Sequence, residues 1–273
     1  MDCYLQAAEL GDTEAMNRIA WLYVSGLGVQ RNLKKAAEYY EKAAVLGNAE
    51  AQRQIAGMYN TGSGVEKNGE KSFEYMKMAA DQGHEEAMVY LAKYYVQGYG
   101  TEQNEEKAFE YFSRAADQGN TEAQYQLGIS YYEGRGVPVS EEKSFEFVLK
   151  AAERGHALAQ YGAGYLIEKG EGTVQDYGKA LAYYKKAAAQ GIGPAFTKLG
   201  EFYELGKGVE QNNETAFKYY QNAAEMKDPD GQYHLACMYR DGKGTETDNE
   251  KAQEFFRRAA SNGNEEAAKV LEK

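Results

Sequence analysis

The chain has few residues of the types that perform metal or acid–base chemistry. Among its 273 residues the histidines are His84, His156 and His234, and the cysteines are Cys3 and Cys237. The cysteines match neither a disulfide framework nor a zinc-ligand spacing. No serine, cysteine or carboxylate constellation accompanies a histidine, so no pair of nucleophile and base emerges. The sequence therefore predicts no metal, no cofactor and no enzyme activity.

Glycine pairs of the form Gly-x-Gly are the one motif that could suggest a phosphate-binding loop. They recur every 36 residues, at Gly26/Gly28, Gly62/Gly64, Gly98/Gly100, Gly134/Gly136, Gly170/Gly172, Gly206/Gly208 and Gly242/Gly244. A dinucleotide fingerprint follows a strand and has a third glycine, whereas each pair here follows a predicted helix and lacks that glycine. The formal charge of −11 would also repel a polyanion. We therefore expect the glycines to end helices, and we expect neither nucleotides nor nucleic acid as partners.

The same 36-residue step positions two short helices in each repeat. The apolar residues Ala15, Ile19 and Tyr23 follow at four-residue steps, which is the spacing of one helical face. This first helix, predicted over about 13–24, should end at Gly26, because glycine adopts the left-handed conformation without strain. The second helix should begin at a polar cap in every repeat, at Asn32, Asn68, Asn104, Ser140, Asp176, Asn212 and Asp248. No strand pattern occurs.

Two of the histidines fit this repeat as structural residues. His84 and His156 occupy the turn position that Asn48 and Asn120 hold in other repeats. We therefore expect them to replace a cap residue rather than to bind a ligand. His234 stands alone on a first helix, so it carries no constellation either.

A repeat of this kind resembles that of a known family. The recurring residues of the copy over 13–48 are Ala15, Ile19, Ala20, Tyr23, Gly26, Gly28, Val29, Asn32, Lys35, Ala36, Tyr39, Tyr40, Lys42, Ala43, Ala44 and Gly47. They resemble the Sel1-like repeat, a relative of the tetratricopeptide repeat. The resemblance implies an all-α fold, a right-handed α/α superhelical solenoid of seven 36-residue helix pairs with a half unit at each end.

The predicted domain organisation is a single array over 1–273. Its repeats start near residues 13, 49, 85, 121, 157, 193 and 229, with partial repeats over 1–12 and 265–273. Solenoids usually shield their terminal apolar faces with capping repeats, and none is evident here. We therefore expect this chain to be a piece of a longer protein.

The 24 tyrosines divide into fifteen that recur with the repeat and nine that do not. Recurrence marks the fifteen as core. In tetratricopeptide-like solenoids, which the chain resembles, the first helices line the concave surface, so non-recurring residues there are candidates for partner binding. These candidates are Tyr125, Tyr161, Tyr165, Tyr132, Ile129, Tyr90, Tyr94, Trp21 and Tyr233. Extra packing between adjacent first helices is the alternative. For Tyr125, Tyr161 and Tyr165 we expect exposed side chains whose truncation to alanine leaves stability nearly intact.

Three classes of function follow from these residues. The first is a non-catalytic adaptor or scaffold that binds a protein or peptide segment along the concave face. The second is a cell-envelope glycan-binding module that uses the same aromatic groove. An enzyme is third, for want of a catalytic set. No basic segment followed by an apolar run opens the chain, so we expect a soluble protein with no direct membrane insertion, cytoplasmic rather than periplasmic or secreted. The oligomeric state is left open.

Overall fold

The computed structural model describes residues 1–272 and folds them into sixteen α-helices, with no strand among these residues. The first helices of the repeats are α2 (Thr13–Ser25), α4 (Ala49–Thr61), α6 (Glu85–Gln97), α8 (Thr121–Glu133), α10 (Ala157–Lys169), α12 (Gly193–Leu205), α14 (Pro229–Asp241) and α16 (Glu265–Leu271). The second helices are α1 (Asp2–Glu9), α3 (Leu33–Val45), α5 (Gly69–Asp81), α7 (Glu105–Asp117), α9 (Glu141–Glu153), α11 (Tyr177–Ala189), α13 (Asn213–Glu225) and α15 (Asn249–Ser261). The predicted all-α repeat fold is confirmed.

The helices belong to two compact units, Met1–Val139 (unit 1) and Ser140–Lys273 (unit 2). Within each unit, a first helix packs on the second helix of its own repeat and on the second helix before it. The partial repeat predicted over 265–273 includes Lys273, which lies outside the described residues. A single continuous array stays a prediction.

Side-chain caps begin the helices as the sequence predicts. Asn32 at the start of α3 accepts a hydrogen bond from the Lys35 backbone N–H at 3.0 Å. The same bond forms at the other predicted caps, Asn68, Asn104, Ser140, Asp176, Asn212 and Asp248. His84 and His156 cap α6 and α10 through Nδ1. Their predicted role as cap residues is therefore confirmed.

The glycine pairs have two separate structural roles. The first glycine, such as Gly26 with a φ of 73°, ends the first helix in the left-handed conformation. The second lies against the backbone of the preceding repeat's second helix. A Cβ added to Gly64 would lie 2.2 Å from the Leu33 carbonyl oxygen, and one added to Gly136 would lie 2.2 Å from that of Glu105. Only glycine fits this approach, which explains why both glycines recur.

Many of the recurring tyrosines stack in pairs between the two helices of a repeat. The rings of Tyr59 and Tyr75 lie 6.0 Å apart and nearly parallel, and the Lys71 ammonium lies 5.0 Å from the centre of the Tyr59 ring. The other stacked pairs of this kind are Tyr23–Tyr39, Tyr95–Tyr111 and Tyr203–Tyr219. The lysine that recurs in the second helix therefore contributes a cation–π contact to the core edge.

Burial of the recurring tyrosines is less complete than the sequence predicts. Tyr40, Tyr184 and Tyr220 are fully enclosed, whereas Tyr39 and several others are half-buried. Tyr4 is exposed, and its assignment to the core is wrong. The reason is that Tyr40, its equivalent in the next repeat, packs against the first helix of its own repeat, and no such helix precedes α1 among the described residues.

A buried glutamine ties successive second helices together. The Gln52 side-chain amide donates to the Ala44 carbonyl oxygen at 3.0 Å and accepts a hydrogen bond from Gln82 at 2.7 Å. Gln160 makes the same contacts with Ala152 and Gln190 in unit 2. Each glutamine adds a second hydrogen bond to a carbonyl that already accepts one from the following turn, as Ala44 does from the Gly47 N–H at 3.0 Å.

Candidate binding surface

The predicted binding residues lie on first helices, mostly at the fifth and ninth positions, which are one turn apart and share a face. We call these two positions the first-helix face. In unit 1 it consists of Asn17, Trp21, Arg53, Gly57, Val89, Lys93, Tyr125 and Ile129. In unit 2 it consists of Tyr161, Tyr165, Thr197, Glu201, Tyr233 and Cys237. Aromatic, charged and small residues alternate here, so the face differs from repeat to repeat.

The most exposed aromatic side chains belong to unit 1. Trp21 is 40% exposed, Tyr90 47% and Tyr132 38%. The Arg18 guanidinium lies 4.9 Å from the centre of the Trp21 ring, a cation–π contact. Tyr90 is the sixth residue of α6 and Tyr132 the twelfth of α8, so both flank the first-helix face. Ile129 is half-buried and lines a cavity.

In unit 2 the three predicted tyrosines are half-buried, and neighbouring rings hold two of them. The Tyr161 ring lies 5.7 Å from that of Tyr184, and the Tyr233 ring lies 5.8 Å from that of Phe256. Burial raises the pKa of the Tyr161 and Tyr233 hydroxyls. Tyr165 stands one turn after Tyr161. Each of the three rings therefore keeps part of its surface accessible to a partner.

Three candidates, Tyr125, Tyr161 and Tyr165, are half-buried and so less exposed than the sequence predicts. Burial raises the pKa of the Tyr125 and Tyr161 hydroxyls. The expectation that the three are exposed side chains is therefore wrong in part. Truncation of any of these rings removes packing as well as surface, so it should cost some stability.

Tyr94 lies in the interior and is not a surface residue. It is 6% exposed, and its hydroxyl lies 2.9 Å from the Ser72 Oγ. Its position, the tenth in the first helix, is also buried as Met58 and Phe202 in other repeats. The prediction misplaced Tyr94 because tyrosine itself does not recur there, although an apolar side chain does. We leave it out of the binding surface.

Sequence reasoning missed the ion pairs that the residue between the two glycines of a Gly-x-Gly can form. In two repeats of unit 2 its side chain reaches back to the last turn of the preceding repeat's first helix. The Lys207 ammonium lies 3.3 Å from the Glu168 carboxylate, and the Lys243 ammonium lies 3.6 Å from that of Glu204. The sequence does contain a signal for this contact. The glutamate and the lysine have opposite charges and are 39 residues apart, slightly more than the length of one repeat.

Both of these carboxylates also satisfy a core tyrosine. The hydroxyl of Tyr184 donates to Glu168 at 2.8 Å, and that of Tyr220 donates to Glu204 at 2.8 Å. Glu168 is buried, so its two partners offset the cost of removing the charge from water. Burial and the hydrogen bond to Glu168 together raise the pKa of Tyr184 far above its ordinary value.

Unit 1 places its charges at the start of a first helix instead. Glu50 accepts hydrogen bonds from Arg53 at 2.8 Å, from Gln54 at 2.6 Å and from His84 at 2.9 Å. Burial would raise the pKa of Glu50, but these hydrogen bonds and the Arg53 charge hold it down at about 2. The contact with His84 connects α4 to the cap of α6.

The first helices offer contact area to a partner. In the part of the chain that the structure describes, no three His, Cys, Asp or Glu side chains are grouped to hold a metal ion. Within the same residues, no helix combines the length and the apolar character needed to cross a membrane. What the first helices do present is partly exposed aromatic rings with charged neighbours.

Comparison with known proteins agrees with the all-α repeat solenoid. A family model for the Sel1 repeat matches residues 1–12, 13–48, 49–84, 85–120, 121–156, 157–192, 197–228 and 229–264. The chain belongs to the Sel1 repeat family. Proteins built from these repeats are generally non-catalytic scaffolds for protein interactions.

Two solved structures are similar along nearly the whole chain. One is c5321, a protective antigen present in uropathogenic Escherichia coli strains, with 32% identity over 98% of this chain and a TM-score of 0.90. This chain spans 57% of the length of that protein. The other is a Sel1 repeat protein from Oxalobacter formigenes, with 31% identity, a TM-score of 0.81 and coverage of 98% of this chain and 78% of that one. No curated protein matches the chain significantly.

Proposed function

We propose that the chain is a non-catalytic adaptor that holds a protein or peptide segment on the aromatic residues of its first helices. The observation that carries this proposal is the position of the non-recurring aromatics. Eight of the nine predicted residues keep part of their surface accessible, and Trp21, Tyr90 and Tyr132 are three of the four exposed aromatic side chains among residues 1–272. Partly exposed tyrosine and tryptophan are the residues that most often dominate binding energy.

The geometry in unit 2 supports this role through pre-organisation. Tyr161 and Tyr233 each rest against a second ring, so little side-chain freedom remains to be lost when a partner binds. A polar rim stands beside Tyr161, where the Lys198 ammonium lies 2.8 Å from the Glu201 carboxylate. An apolar centre with a polar edge is the usual anatomy of a protein interface.

The test is a selection of displayed random peptides on the purified chain, followed by affinity measurements on variants. Tyr161→Ala should weaken the selected peptides by roughly thirtyfold, equivalent to about 2 kcal/mol. Tyr183→Ala is the matched control, because Tyr183 is a half-buried tyrosine on the second helix α11. It should leave the affinity nearly unchanged.

Two outcomes would overturn the adaptor proposal. One is that the selected peptides bind with the same affinity to Tyr161→Ala, Tyr233→Ala and the unmodified chain. The other is that no peptide is selected while peptidoglycan or chitin fragments bind in a manner that depends on Tyr161. That second result would establish the glycan-binding alternative in its place.

A further inference from the structure

A cavity of about 320 Å³ opens in unit 1 between α6, α7 and α8. Its apolar lining includes Val96, Phe112 and Ile129, and its polar lining includes Lys93 and Arg135. Pockets that hold small ligands range from about 300 to 1,000 Å³, so this cavity is large enough for one or two side chains of a partner. It lies beside the predicted binding residue Ile129.

Arg135 lines this cavity with a guanidinium that is only partly paired. Its Nη2 pairs with Glu133, and 40% of its side chain is exposed, but its Nε is buried and has no hydrogen-bond partner among residues 1–272. A buried donor of a charged group that lacks a partner is costly. The buried Nε is closed to a partner, but the exposed end of the guanidinium can bind a carboxylate, because its N–H groups match two carboxylate oxygens.

The other repeats show what normally fills this place. Lys207 and Lys243 occupy the position of Arg135 in their repeats, and each pairs with a glutamate in the last turn of the preceding first helix. The residue that corresponds to these glutamates in the repeat before Arg135 is Val96, which has no charge and itself lines the cavity. In this repeat the chain thus supplies the cation without the carboxylate of the preceding first helix. Arg135 pairs instead with Glu133 at the end of α8, and Val96 lines the cavity.

We propose that this cavity binds an acidic side chain of a partner protein, with an adjacent apolar side chain on Val96, Phe112 and Ile129. The inference rests on the proposed adaptor function and names the chemistry of the segment that is bound. Lys93 and Arg135 outnumber Glu105 among the charged residues of the lining. Lys93 pairs with Glu122 at 2.8 Å, and Arg135 pairs with Glu133. Arg135 is the principal anchor because its guanidinium has further N–H groups besides the Nη2 that contacts Glu133.

The experiment is an NMR titration of the full chain with two end-blocked tetrapeptides. Both contain leucine, followed by glutamate in one and by glutamine in the other. The glutamate peptide should shift the amide signals near Arg135 and Ile129 in a saturable manner. The glutamine peptide should bind at least roughly tenfold more weakly, because it cannot form the charge-assisted pair.

Two matched pairs of variants test the site itself. Val96→Glu should abolish binding of the glutamate peptide by supplying the internal carboxylate. Val24→Glu, at the same position in another repeat, should not, because Ser63 rather than a cation stands between Gly62 and Gly64. Arg135→Met should also abolish binding. Lys243→Met, which removes a cation that is already paired with Glu204, should leave it intact.

The inference would be overturned if the glutamate and glutamine peptides bound equally, if Val96→Glu bound normally, or if no saturable shift occurred. A glutamine peptide with a free C-terminus that bound as tightly as the blocked glutamate peptide would show that a chain end, not a side chain, is the occupant. Each of these failures leaves the adaptor proposal standing as long as the selected peptides depend on Tyr161. Loss of that dependence would overturn the adaptor proposal instead.

Discussion

Unit 1 and unit 2 are built from the same repeat, but they treat one internal position differently. Val24 in the last turn of α2 stands before the core tyrosine Tyr40 in unit 1, whereas Glu168 holds the equivalent position before Tyr184 in unit 2. Glu168 is buried and accepts a hydrogen bond from the Tyr184 hydroxyl. The position carries no charge in unit 1, where it is Val24, Asn60, Val96 and Tyr132, and a charge in unit 2, where it is Glu168, Glu204 and Arg240. A repeat protein can change the charge of its interior without changing its backbone.

The two units also differ in the space that they leave beside the core ring. Ala20 stands at the position next to Tyr40, but glycine replaces it beside Tyr184 and Tyr220, as Gly164 and Gly200. A Cβ added to Gly164 would lie 2.8 Å from the Tyr184 ring. The Tyr184 ring therefore fills the space that a Cβ would take, and its hydroxyl donates to Glu168.

The largest effect that would sharpen this comparison is expected for Gly200→Ala. Alanine normally stabilises a helix by about 1 kcal/mol relative to glycine, but here its Cβ would lie 2.4 Å from the Tyr220 ring. Overpacking should dominate, with a net loss of about 2 to 3 kcal/mol in the free energy of unfolding measured in urea. Gly57→Ala in α4 is the control, because no atom lies within 4 Å of its added Cβ. It should stabilise the protein by about 0.5 to 1 kcal/mol, and two changes of the same sign would contradict the packing argument.

A smaller effect is expected for Tyr184→Phe. The change removes one of the two partners of the buried Glu168 carboxylate, and the lost hydrogen bond to a charged group should cost about 1.5 kcal/mol in chemical unfolding. Tyr40→Phe provides the comparison from unit 1, where Val24 cannot accept a hydrogen bond. We expect almost no change there. Equal losses in the two variants would show that Glu168 adds nothing that unit 1 lacks.

The smallest effect is expected for Glu50→Gln, and it depends on pH. The pKa of Glu50 is lowered from 4.5 to about 2, so its contribution to stability is present above pH 4.5 and is lost as the pH falls towards 2. The side chain is 38% exposed, and solvent screening reduces the expected loss at neutral pH to about 1 kcal/mol. The control is Glu38→Gln, which changes an exposed residue of α3. The free energies of unfolding of the two variants should be compared at several pH values. A difference between the variants that persists at pH 2 would argue against an electrostatic origin.

The helix boundaries were predictable because they depend on local chemistry. A cap such as Asn32 acts on an N–H three residues away, and a glycine such as Gly26 acts through its own backbone, so a single repeat contains the information. The exposure of individual tyrosines was less predictable. Tyr94 belongs to a position that is apolar in most repeats, and its burial follows from the position rather than from the residue type.

The contacts between repeats could be predicted least. Glu168 and Lys207 occupy different positions in successive repeats, and neither recurs throughout the chain, so a search for the 36-residue period does not connect them. The cavity beside Arg135 depends on Val96 in the same way, since it arises where one member of such a pair is missing. Such contacts can be identified only from coordinates, because the sequence does not show which two side chains are in contact.

The close approach of the second glycine has a consequence for how such a gene can grow. Gly64 and Gly136 contact the backbone of the preceding repeat, and a backbone contact is indifferent to the side chains that a neighbour carries. A recombination event that duplicates or deletes a whole 36-residue segment therefore recreates the same junction at once. The Glu168–Lys207 pair spans a junction and does not share this property. Copying repeats preserves the scaffold, whereas the charge pattern must be rewritten by point mutation, and lineages can diverge in what they bind while keeping the same architecture.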